Sequence, residues 1–404
     1  MLNRTIKITP NDKFSTAAVG CFLRLPLTRH NLAYANLLTR SQLNMTLDYP
    51  TVSQQQRKLA EQYDLNFDAG IQLFGKQLII SYTLDLVEPS MVLDPAYTYE
   101  SVITVFSNLV QHPYFDQRVI DLTKRQLAEE VSELMTEPEN VAYQQFFEHW
   151  YQATPDYADN LPAALAELEN ATPASFSKFG ESLQTVPTVI LGQARDAQQL
   201  QAICEKSVHQ VGLSQPFASL EVTIPAESAY QTQVEVKHYL QSQLLLGYGY
   251  HGKMPFMAQV VGLVLADYLA GDQSSRLFVQ VREQLGAVYE IDASCYANNS
   301  LLLIAAGLDQ KQVPAAKALI QEELTRVQLG QIDSALLRKV KRGLLDLHVA
   351  SADQQSWHLL QALRGELLPG YRKFDRLQAI KQVTPAKLKA FALNLFLNES
   401  YLLK

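Results

Sequence analysis

A zinc site or a nucleophile leaves a characteristic spacing in a sequence, and the histidines are the first residues to test for one. His30, His112, His149, His209, His238, His251, His348 and His358 include no pair four residues apart. A helix needs that spacing to turn two imidazoles toward one cation, so no local zinc site is written in them, and lone histidines are more often structural than ligating. The three cysteines, Cys21, Cys204 and Cys295, are widely spaced and odd in number. That pattern fits neither a disulfide framework nor a zinc finger, and it fits reduced thiols. No nucleophile elbow and no Cys–His arrangement supports hydrolysis by this chain alone. Arg338, Lys341 and Arg342 fall on one face of a predicted helix, either as a solvated face or as a guide for an acidic peptide or partner.

Side chains must be carried by elements, and the chain has length and core enough for them. Its 404 residues are 47% hydrophobic and 19% charged, ordinary for a globular chain of two or three domains at roughly 100–200 residues each. Lys and Arg total 34 against 41 Asp and Glu, a formal charge of −7, which argues against a nucleic-acid backbone as the main ligand. The opening residues hold no apolar targeting core, and the longest apolar run, residues 260–266, is far short of the roughly 20 residues that span a bilayer. A cytoplasmic location without membrane contact is expected.

The elements repeat. Residues 20–25 read as a strand and 31–45 as a helix; Thr51 with Gln54 predicts a capping box for the next helix. Strands follow at 65–73 and 77–87 about a turn at Gly75, then helices at 99–110 and 116–134 and a strand at 188–192. Residues 213–233, with two prolines and no helical period, are expected to be a linker. Beyond it the order restarts: a strand at 243–250, a helix marked by Phe256, Val260, Val264 and Tyr268, a helix at 275–285, and strands at 288–296 and 301–308. Pro314 opens a helix and Gly330 follows it.

Residues 274–289, SSRLFVQVREQLGAVY, resemble the C-terminal-half signature of the insulinase-like (M16) peptidases, a family that includes mitochondrial processing peptidase. The resemblance is strong over residues 270–310 and weaker over 20–87. It implies an inverted zinc motif, HxxEH, on the first helix, with two His ligands flanking a Glu base. Here Asn36 and Arg40 stand at the ligand positions and Thr39 at the base. Asn is a weak zinc ligand, a guanidinium does not bind cations, and a threonine is no base near neutral pH. The family's third ligand, a Glu on a later helix, matches Glu130, with Glu129 one register step away; both also fit a solvated helix face. The extra length between Arg40 and Glu130 is accounted for by a loop near 88–98.

The resemblance also implies that Arg282 and Tyr289 are the family's substrate-binding Arg/Tyr pair, able to hold a peptide carbonyl oxygen and the charge developing on it. A surface helix arginine and a strand tyrosine are the plainer account of the same residues. The pattern is most similar to the YmfF-type bacterial members, found beside a motif-bearing YmfH-type sister. The expected fold is α+β, two similar insulinase/mitochondrial-processing-peptidase-like domains, each an antiparallel sheet packed with helices, at 1–212 and 234–404. The expected function is a non-catalytic, peptide-binding subunit completing the active site of a partner that holds zinc in an intact HxxEH. No cofactor is expected in this chain itself. The alternative is a scaffold or peptide-binding protein of the same fold with no peptidase role.

Overall fold

In the computed structural model residues 6–158, 161–208, 211–226, 230–285 and 288–404 are described, with side chains except at 211, 282–285, 288 and 289. Among the described residues, ten strands form two five-stranded sheets. The first holds β1 (Ile6–Pro10), β2 (Thr16–Pro26), β3 (Asn66–Phe74), β4 (Gln77–Val87) and β5 (Thr188–Ala194) in the order β1-β5-β2-β4-β3. The second holds β6 (Gln231–Glu235), β7 (Ser242–Tyr250), β8 (Val288–Tyr296), β9 (Leu301–Leu308) and β10 (Leu395–Leu403) in the order β6-β10-β7-β9-β8. In each sheet the short first strand pairs parallel with the last, and every other pairing is antiparallel. One topology written twice is the duplication that the element order predicts.

The linker expectation needs correction, because Gln231–Glu235 is strand β6, so residues 231–233 already belong to the second sheet. The compact units are also not continuous along the chain, as boundaries at 212 and 234 would make them. One unit gathers Met1–Ser132, Asn160–Glu221 and Gln354–Pro369; the other gathers Glu133–Asp159, Val222–Asp353 and Gly370–Lys404. Each unit therefore borrows one helix from the far half of the chain.

The borrowed helices explain the apolar character of the central strands. In the first unit Tyr82 lies opposite Cys21 and donates to Gln42 on the helix Arg29–Asn44. Gly20 faces the other side, where the borrowed helix Gln355–Leu367 packs on β2 and β5. A sheet covered on both faces reads as a continuous apolar run rather than an alternation, and β2 is buried at eight of its eleven positions. The second unit shows the same plan in its two cores. Leu244, Leu246, Leu302 and Ile304 pack under the helix Phe256–Ala270. Leu245, Leu301 and Leu303 alternate to the opposite face, where the borrowed helix Pro138–Trp150 supplies Val141, Phe146 and Trp150.

The borrowed helix approaches β7 closely. A Cβ at Gly247 would lie 2.6 Å from the Phe146 ring and 2.7 Å from the Trp150 ring, so only glycine leaves room for both. Local signals at the other ends behave more simply. Gly75 makes its turn at φ 55° and Gly330 caps its helix at φ 83°. Thr51 caps its helix by accepting from the Gln54 N–H, but the Gln54 side chain meets the Thr51 hydroxyl instead of the Thr51 backbone N–H, so the capping box is incomplete. Complete boxes form at Thr98 with Ser101 and at Thr172 with Ser175.

Candidate functional site

The helix Arg29–Asn44 carries Asn36, Thr39 and Arg40, the positions that the resemblance assigns to the zinc motif, and Thr28 caps its start by accepting from the Asn31 N–H. Asn36 and Thr39 are buried and turned back on their own helix. The Asn36 amide donates to the Leu32 carbonyl at 2.9 Å, and the Thr39 hydroxyl donates to the Ala35 carbonyl at 2.9 Å. Short polar side chains bond the preceding turn in this way when nothing outside the helix claims them.

Arg40 leaves the helix and meets Glu130, its Nη2 2.8 Å from one carboxylate oxygen and 2.7 Å from the other. Glu130 stands on the helix Gln117–Leu134 with Leu127 and Val131 buried beneath it, while Glu129 points to solvent. The structure therefore brings together the two positions at which the family would hold a His and a Glu on one metal. A guanidinium occupies the space between them. Its charge cannot be removed near neutral pH, so a divalent cation beside it would face direct repulsion. These residues do not fit zinc. Among the described residues, no three His, Cys, Asp or Glu side chains gather in a metal-binding group elsewhere.

A buried polar shell that no local pattern announced braces this helix. Gln42 donates to the Leu109 and Val110 carbonyls at 2.7 and 3.0 Å, Tyr82 donates to the Gln42 amide oxygen at 2.7 Å, and Gln55 donates to the Gln42 carbonyl at 2.8 Å. Burial pushes the Tyr82 hydroxyl far above its usual range. These contacts tie the helix to the sheet and to the helix Val52–Glu61.

Arg282 lies on the helix Arg276–Leu285 and Tyr289 on β8, the edge strand of the second sheet. Their side chains, and Gly286 between them, lie outside the described residues. Just before them, Arg276 forms a two-pronged ion pair with buried Glu323 at 3.0 and 3.1 Å, fixing the start of the helix.

The face holding Arg338, Lys341 and Arg342 is not a free basic patch. Lys341 donates to the Lys381 and Val383 carbonyls at 2.7 and 2.8 Å, and Arg342 lies 3.9 Å from Asp346. The three cysteines are free, and burial pushes the thiols of Cys21, Cys204 and Cys295 up to about 12. The loop after β4 is anchored by fully buried Glu88, which accepts from the Tyr99 hydroxyl and, at 2.7 Å, from the Arg195 N–H. It borders an open cavity of about 700 Å³ lined by Pro89, Tyr99, Arg195 and Asp196. A second cluster that the sequence reading missed is His149 with Glu399, beside a cavity of about 180 Å³ in the other unit. Its signal was Asn398-Glu399-Ser400, three polar residues inside an otherwise apolar strand.

Two duplicated sheet-and-helix domains, the first with the Arg40–Glu130 ion pair on the helix Arg29–Asn44, define the architecture of the chain. Residues 194–344 match the family described as Peptidase M16 inactive domain. The chain is 20% identical to the "Probable inactive metalloprotease YmfF" of Bacillus subtilis over 351 residues, covering 83% of this chain and 80% of that one. Among solved structures it superposes on a conserved protein from Enterococcus faecalis V583 with TM-score 0.90 and 18% identity, over 99% and 96% of the two chains. It superposes on a peptidase M16 inactive domain from Pseudomonas fluorescens with TM-score 0.77 and 16% identity, over 98% and 94%. The structural likenesses show the two-domain fold. Over residues 194–344 the chain is similar to the M16 inactive domain, and over most of its length it resembles an inactive, YmfF-like member of that family.

Proposed function

We propose that this chain is the non-catalytic, peptide-binding subunit of a two-chain M16 zinc peptidase, working in the cytoplasm. The partner would carry an intact HxxEH, of the YmfH type, and hold the zinc; Arg282 and Tyr289 of this chain would hold the peptide carbonyl at the partner's centre. The observation that carries the reading is the Arg40–Glu130 ion pair, which fills this chain's own centre with a fixed cation. A chain in that state keeps the peptidase fold without the means to cleave, and assisting a second chain is a use for what remains. The sheets favour peptide binding as well. Among the described residues β3 pairs only with β4 and β8 only with β9, so each presents one row of backbone groups to which an extended peptide can add as a further strand.

Reconstitution with a motif-bearing M16 chain tests the proposal. The pair should cleave peptides that neither chain cleaves alone, and Arg282→Ala should lower kcat/KM by about 10²–10³-fold, the scale for losing one donor to a developing oxyanion, while co-elution of the two chains persists. Full activity of that variant, or no cleavage by any such pair, sinks the reading. Peptide binding without cleavage would leave a scaffold or peptide-binding role in its place.

A further inference from the structure

Strand β10 contains a run that a sheet interior should reject. Asn398, Glu399 and Ser400 are 6%, 2% and 3% exposed in the middle of Leu395–Leu403. Ser400 is satisfied by accepting from Lys317 Nζ at 2.8 Å. Glu399 is not: its Oε1 is buried without a hydrogen-bond partner, and so is Nδ1 of His149, 3.7 Å away on the borrowed helix Pro138–Trp150. Leaving two such atoms unpaired is costly, and a native structure rarely tolerates it without a reason. A β-bulge between Leu397 and Glu399 shifts the register of β10 against β7 just there, and bulges re-aim side chains beside functional sites. Both orphaned groups line a cavity of about 180 Å³ that Trp150, Gln152, Gln231 and Asn398 also line.

We infer that this cavity is a binding site for a primary ammonium group, whose N–H donors are shared between the Glu399 carboxylate and Nδ1 of His149. The separation of 3.7 Å is too long for the pair to bond each other well and suits one donor group placed between them. An ammonium offers three donors and a compensating charge for a buried carboxylate. A metal would want a third strong ligand, and among the described residues none joins these two. At about 180 Å³ the cavity lies below the roughly 300 Å³ at which drug-sized sites begin, so it takes a short methylene stem against Trp150 and its charged head. A lysine side chain and a peptide amino terminus share that chemistry. The site lies within one unit and stands independently of the two-chain proposal.

The charges around Glu399 set the pH dependence. The borrowed helix brings His149 and Glu148; β10 brings Tyr401, which donates to Glu235 of β6 at 2.7 Å, and Glu235 is itself paired with Lys237. β7 places Gly247 opposite Glu399 and β6 places Gln231 there, neither titratable. Burial pushes the Glu399 carboxyl up to about 8, so the empty site keeps a proton at neutral pH and an arriving ammonium must displace it. Affinity should therefore rise about tenfold per pH unit up to 8 and level off above it.

Calorimetric titration of the full chain with n-butylamine is the test, with Nα-acetyl-lysine amide and glycinamide as arms for the two sources and n-butanol as the uncharged control. The expected result is one saturable site for the amine, about fifty-fold tighter at pH 8 than at pH 6, no binding of the alcohol, and loss of binding in Glu399→Gln and in His149→Ala. Binding of the lysine derivative alone assigns the site to side chains, and of glycinamide alone to amino termini. Absence of amine binding at pH 8, or unchanged binding in both variants, overturns the inference.

Discussion

At the scale of single residues, an ion pair between Arg40 and Glu130 stands where the resemblance would put two ligands of one metal. Arg40 and Glu130 are about one-third and two-fifths exposed as side chains, so their pairing is worth only about 0.2–1 kcal/mol. Its consequence is electrostatic exclusion of a cation rather than stability. If the surrounding geometry is otherwise that of a metal site, restoring the ligands should restore the metal. A chain carrying Asn36→His, Thr39→Glu and Arg40→His should retain about one zinc per molecule after dialysis, by elemental analysis. Adding Glu130→Gln should remove it. Zinc retained in spite of that fourth change would mean that Glu130 is not placed as a ligand. His149 and Glu399 are the opposite case, each keeping one buried polar atom without a hydrogen bond where an apolar pair would have packed more cheaply.

At the scale of elements, the two borrowed helices are what make the sheets viable. A central strand such as β7 is apolar toward both faces, and the helix Pro138–Trp150 covers one of them through Phe146 and Trp150. Gly247 is the point of closest approach, so Gly247→Ala should cost about 1–3 kcal/mol, because two packed rings must move for one methyl group. The cost should appear as a lower urea midpoint with an unchanged slope. Wild-type stability in that variant would show that the helix yields freely, and the close contact would then not hold it.

At the scale of the whole molecule, connectivity couples the two halves. A chain divided between residues 212 and 234 leaves the first sheet without Gln355–Leu367 and the second without Pro138–Trp150. Each half expressed alone should bind a hydrophobic dye and lack a cooperative thermal transition, since an uncovered sheet face cannot offset the entropy of ordering the chain. Mixing the halves should restore the transition. Independent, cooperative folding of either half would show that its borrowed helix is dispensable.

The repeat of strands and helices, the turn at Gly75 and the helix stop at Gly330 were all legible in the sequence, because each depends on residues close together in the chain. Periodicity, backbone conformation and ligand chemistry are local properties. Short edge elements such as β1 and β6, and the strand β10 with its polar interruption, were not legible, since their pairing partners are remote in sequence. The same holds for the site. Asn36, Thr39 and Arg40 could be read as unfit for zinc, yet only the fold brought Arg40 to Glu130 across 90 residues and left Glu129 in solvent. Only the fold, again, carried one helix from each half onto the other half's sheet and set His149 against Glu399. Contacts between distant segments are fixed by how whole surfaces pack, and no stretch of sequence contains both surfaces.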